Sequence, residues 1–266
     1  MLEKVVKYDF SAMGKRLVPL YLAMILLSLV EKLGTILVDS FPIFGTFFGM
    51  LTFIYVIVLI GGFIYTFFLA VQSFYNAFMK DEGYLINTLP VAKETLVLSK
   101  VIVSSIYIVL TVIVIILSVC LAIMNMELIE NIGKFITGVI ENGIGVDSTV
   151  ILILVALILL GSYIQQLLFF YFSLALGQTR SNHKLVYSFL FGFVIYTITQ
   201  IVSTVSLLFM GLFISEFRSV MLQETTLLSN GIVVSLLVYS LVMIVITCIA
   251  YFFGTTITLK KYLNLD

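Results

Sequence analysis

Residues 46–72 read TFFGMLTFIYVIVLIGGFIYTFFLAVQ, from Thr46 to Gln72, and none of these side chains is charged. As an α-helix the run is about 40 Å long. The hydrocarbon core of a bilayer is roughly 30 Å thick, so one such segment crosses it with residues to spare. The same criterion picks out five more stretches: residues 17–38, 101–124, 149–176, 185–214 and 231–257. The first of these contains Glu31 and Lys32, but adjacent opposite charges near the end of a span can pair or snorkel without breaking it. The predicted fold is therefore all-α: one polytopic membrane domain over residues 1–266 with six transmembrane helices.

Composition agrees. Of the 266 residues 62% are hydrophobic and only 11% charged, with a mean hydropathy of +1.22. Soluble domains average roughly 45–50% apolar and about 25% charged, so most of this chain must face lipid or other membrane helices. Lys and Arg number 14, as do Asp and Glu. With no cationic surplus to neutralise phosphate, a nucleic-acid partner is excluded. Cys120 and Cys248 both sit in apolar runs and read as packing residues rather than as a disulfide framework. The cations Lys4, Lys7, Lys15 and Arg16 precede an apolar run as in a signal peptide. Glu3, Asp9 and the lack of a small-x-small cleavage site predict that the segment is retained.

Sorted by loop, the charges orient the chain. One set of alternate segments holds Lys4, Lys7, Lys15, Arg16, Lys80, Lys93, Lys100, Arg180, Lys184, Lys260 and Lys261, whereas the other holds only Lys32, Lys134 and Arg218. By the positive-inside rule the rich set is cytoplasmic, which puts both termini there.

Four stretches outside the spans have a character of their own. Leu2, Val5, Val6, Phe10, Met13 and Leu17 recur at helical spacing with Glu3, Lys4, Lys7, Ser11 and Lys15 between them. Residues 1–16 are thus predicted to form an amphipathic elbow helix on the inner leaflet, redirected at Pro19, the alternative being a helical extension of the first span. Residues 79–94 form a compact charged loop in which Asp81 and Glu82 flank the apolar Tyr84, Leu85 and Leu89, with a possible short helix ending before Pro90. A connecting loop and a docking element for a cytoplasmic partner both fit. Residues 127–147 are predicted to form an outer amphipathic helix, and residues 215–230 a second outer loop.

Catalytic motifs are scarce. The single histidine, His183, lies in the turn Arg180-Ser181-Asn182-His183-Lys184 and cannot by itself build a zinc site. No G-x-x-x-x-G-K-[ST] loop or G-x-S-x-G elbow occurs, and Ser181 with Lys184 is an isolated S-x-x-K match. No cofactor or metal site is predicted, and the chain is not expected to be an enzyme. Mid-membrane amides occur at Gln165, Gln166 and Gln200, with Gln72, Ser73 and Asn76 near one end of the second span. Such groups bond neighbouring helices or line a pathway. The span centres contain no carboxylate, which argues against a proton relay.

Lys7-Tyr8-Asp9-Phe10, Leu17-Val18-Pro19-Leu20-Tyr21-Leu22 and, most specifically, Asp81-Glu82-Gly83-Tyr84-Leu85 with Thr88-Leu89-Pro90-Val91 resemble permease subunits of type-2 ATP-binding-cassette transporters of Gram-positive bacteria. The remaining spans agree only in number, length and orientation. The resemblance implies that residues 2–15 are the elbow, and that Asp81, Glu82, Gly83, Tyr84, Leu85, Leu89 and Pro90 form a coupling segment seated in a groove of the ATPase. It further implies a separate cytoplasmic ATPase subunit, a second permease subunit, identical or different, and a place in the bacterial cell membrane, with export the expected direction. Gln165, Gln166 and Gln200 are then the candidate pathway residues. A membrane scaffold or accessory protein without transport, and an intramembrane enzyme, are the competing readings.

Overall fold

The computed structural model describes residues 2–41, 43, 45–80, 91–123, 133–134, 148–180, 183–213 and 230–261. Six long helices carry the chain: α1 (Leu2–Ser40), α2 (Gly45–Met79), α3 (Lys93–Ile123), α4 (Ser148–Gly177), α5 (Lys184–Phe213) and α6 (Asn230–Lys261). All six are long and apolar enough to cross a membrane, and the described residues contain no strand. The fold is that of an all-α, multi-pass membrane protein. Of the predicted outer helix 127–147, only Gly133 and Lys134 are described, both helical.

The expected elbow is not a separate element. Residues 2–40 form one continuous helix with Pro19 inside it. The reason lies in the pattern of burial: Asp9, Met13, Leu17, Met24, Ser28 and Gly34 are buried, and at 100° per residue all fall on one face of the helix. One packing stripe therefore runs from the N-terminal turns into the span and keeps the helix whole. Pro19 is exposed, off this stripe, so the hydrogen bond it cannot donate is given up on the outer side.

The described residues divide into two compact units. The first, Met1–Phe74 with Thr95–Thr137, gathers α1, most of α2 and nearly all of α3. Antiparallel packing of α1 on α2 depends on two glycines. A side chain at Gly62 would run into the terminal methyl of Met24, and one at Gly34 into the ring of Phe48. Met24 is wholly buried there against Tyr55, Leu59 and Ala122.

The second unit, Tyr75–Glu94 with Gly138–Asp266, is built on α4, which packs against both α5 and α6. Gly254 of α6 lies against Phe172 of α4, where an added Cβ would approach the ring to 2.6 Å. Phe172 stacks with Tyr251 at 6.1 Å between centroids, and the Tyr251 and Thr199 hydroxyls are 2.7 Å apart, linking α6 to α5. Tyr239 donates to the Ser203 carbonyl at 2.9 Å and lies 2.6 Å from the Ser206 hydroxyl. The α4–α5 turn ends at His183, which adopts φ 52° and accepts hydrogen bonds from the Val186 and Tyr187 amides. Gly177 ends α4 so close to α5 that a side chain there would strike Ser188.

Candidate functional site

The most elaborate polar arrangement among the described residues lies at the start of α3, shortly after the predicted loop 79–94. Lys100 Nζ is 2.6 Å from Asp9 Oδ1 and donates to Ser73 Oγ at 3.0 Å. The Ser99 hydroxyl donates to the other carboxylate oxygen, Oδ2, at 2.9 Å. Three helices thus meet through four side chains: Asp9 from α1, Ser73 from α2, Ser99 and Lys100 from α3. The Asp9 side chain is only 4% exposed and that of Lys100 13%, so the pair is largely withdrawn from water. A buried charge persists only when paired and hydrogen-bonded, and both carboxylate oxygens are here satisfied.

Above this cluster a polar ladder climbs α3. Tyr107 donates to the Phe10 carbonyl at 2.7 Å while its ring stacks on Phe10 at 4.7 Å. Its hydroxyl covers Gly14 so closely that an added Cβ would lie 2.6 Å away. One turn on, the Thr111 hydroxyl lies 2.7 Å from that of Tyr21 on α1 and 3.1 Å from that of Thr66 on α2. Ser118 then reaches the Met24 carbonyl at 3.1 Å and the Tyr55 hydroxyl at 2.8 Å. The spacing from Lys100 to Tyr107, Thr111 and Ser118 keeps the rungs on one helical face. Each is a hydrogen bond between helices.

Glu94 and Lys260, within the second unit, form an ion pair between the first turn of α3 and the last of α6. Its side chains are 39% and 52% exposed, so it is a surface pair unlike the one at Asp9. Asn76, near the end of α2, keeps its side-chain oxygen buried without a hydrogen-bond partner among the described residues.

The residues singled out from the sequence fare differently. Asp81, Glu82, Gly83, Tyr84, Leu85, Leu89 and Pro90 lie outside the described residues. Gln165 is half-buried on α4, whereas Gln166 on α4 and Gln200 on α5 are exposed. No described contact joins these three amides into a pathway. Cys120 is exposed and Cys248 half-buried, both as free thiols. Among the described residues no group of three His, Cys, Asp or Glu side chains is close enough to hold a metal ion.

Reading the sequence by spans missed the Asp9–Lys100 pair, because both residues fall at helix ends, where charges are ordinary. One signal was available. Asp9 stands one turn before Met13, on the side that the apolar residues occupy, and a carboxylate there requires a cation from elsewhere.

Comparison with known proteins adds no relative: no family model, no curated protein and no solved structure matches the chain. The fold and the cluster define the class, a multi-pass membrane protein whose first three helices are tied by a buried ion pair.

Proposed function

We propose that the chain is the membrane-spanning permease subunit of a type-2 ATP-binding-cassette exporter, working with a separate cytoplasmic ATPase and a second permease subunit. The observation that carries the reading is the position of the buried cluster. Ser99 and Lys100 lie on the first turns of α3, within ten residues of the segment from Asp81 to Pro90 that resembles a coupling element. A mechanical push delivered to that segment enters α3 where it is bound by charge to α1 and by a hydrogen bond to α2. Such a joint transmits displacement because breaking it would strand a buried charge. Nucleotide-driven closure of the ATPase subunits then moves three helices together. Loop charges favour the orientation with both termini cytoplasmic, which places the segment on the ATPase side.

Co-expression with the ATPase encoded beside it, followed by affinity purification, tests the reading. Tyr84→Ala with Leu85→Ala is expected to abolish co-purification and substrate-stimulated ATP hydrolysis while leaving the permease in the membrane. A complex that forms unchanged in this variant overturns the docking assignment. A coding region with no such ATPase favours a scaffold protein instead.

A further inference from the structure

The outer face of α1 is divided into a cationic part and an aliphatic part. At 100° per residue, Lys4, Lys7 and Lys15 fall on one side of the helix, opposite the buried line of Asp9, Met13 and Leu17. All three lysines are exposed. Directly in line with them follow Val18, Leu22, Leu26 and Leu29, which are 51%, 57%, 62% and 46% exposed. From Val18 to Leu29 the helix rises about 16 Å. That is close to the depth of hydrocarbon in one leaflet, about 15 Å.

The cationic part is also unusually free of acid. Within residues 2–18 the acidic side chains are Glu3 and Asp9. Asp9 faces inward and is neutralised by Lys100, so only Glu3 remains to offset the three exposed lysines. A molecule that covers the whole stripe needs an anionic head at Lys15 and an apolar body alongside Val18 to Leu29. An acidic protein surface satisfies the first requirement but not the second.

We propose that this stripe of α1 is a docking site for anionic phospholipid, the phosphate held by Lys15 with Lys7 and Lys4 beyond it, and the acyl chains lying on Val18, Leu22, Leu26 and Leu29. Basic residues beside a span attract acidic headgroups, and the attraction is screened by salt. The proposal depends only on the membrane class of the chain and stands apart from the transport reading.

The chain contains no tryptophan, so a single one reports its local lipid without background. The full chain carrying Leu22→Trp is reconstituted in phosphatidylcholine vesicles containing equal fractions of phosphatidylglycerol and phosphatidylcholine, with bromine on the chains of one or the other. The expected result is a preference for brominated phosphatidylglycerol of about fivefold for each lysine engaged. The preference falls in high salt and vanishes when Lys4→Gln, Lys7→Gln and Lys15→Gln are combined. Ile246→Trp, on the exposed face of α6, is expected to show no preference. Lys15→Gln alone is expected to reduce it, and serves where the triple variant does not accumulate. Equal quenching by the two lipids at Leu22→Trp, a preference shared by Ile246→Trp, or one that survives loss of the lysines overturns the proposal.

Discussion

Lys100 reaches back 91 positions along the chain to Asp9, its ammonium 2.6 Å from one carboxylate oxygen while Ser99, its immediate neighbour, serves the other. Adjacent residues of α3 thus clasp a single carboxylate on α1.

Breaking this pair from one side should be far worse than removing it. Lys100→Met strands the carboxylate of Asp9 in a site that is 4% exposed, and is expected to destabilise the protein by about 3–5 kcal/mol. Asp9→Leu combined with Lys100→Met should recover most of that loss. Thermal unfolding of the detergent-solubilised chain, followed by circular dichroism, measures both. A double variant no more stable than the single one would show that the two charges do not act as a unit.

Two neighbouring glycines offer a controlled comparison. Gly62→Ala forces a methyl group into the terminal methyl of the buried Met24 and should cost about 1–3 kcal/mol. Gly61→Ala, with nothing within 4 Å of the new Cβ, should be neutral or stabilise by up to about 1 kcal/mol through helix propensity. Pairing Gly62→Ala with Met24→Ala should reduce the penalty of the first substitution, as a double-mutant cycle would record.

The ladder above the ion pair should be individually weak. Tyr55→Phe and Ser118→Ala each remove one member of a 2.8 Å contact, and their coupling energy should fall near 0.6 kcal/mol and below about 1.7 kcal/mol. A value of several kcal/mol would mean that the rungs act cooperatively with the buried charge below them.

Glu94 and Lys260 supply the contrast for the buried pair. Their side chains are 39% and 52% exposed, so Glu94→Gln should cost no more than about 1 kcal/mol. The difference from the unaltered chain should shrink further in high salt. An effect as large as that of Lys100→Met would show that this pair is not a solvent-screened surface contact.

The membrane architecture was legible because hydropathy reports the solvent each residue must meet. Helix ends were less so. The apolar run predicted to stop at Gln72 continues as helix to Met79, and the one predicted to begin at Val101 begins at Lys93. Backbone hydrogen bonding does not stop where lipid stops, and polar residues such as Ser73 and Ser99 extend the helices beyond the hydrocarbon. Pro19 predicts a point of redirection, yet the stripe from Asp9 to Gly34 overrides it. Tertiary packing outweighs one missing hydrogen bond when the proline lies on the outer side. The ion pair is hidden for a different reason: the pattern around position 9 calls for a cation but does not say which, and its partner lies 91 residues away.

That separation also sets an order of events in synthesis. At about 5–20 residues per second, Lys100 emerges some 5–18 s after Asp9. During that interval the first helix can enter the membrane, but its N-terminal turns carry an unneutralised carboxylate and belong at the wet boundary. Only when α3 arrives can Asp9 leave water, so the first turns of the chain to be made must wait for the third helix before their packing face is complete.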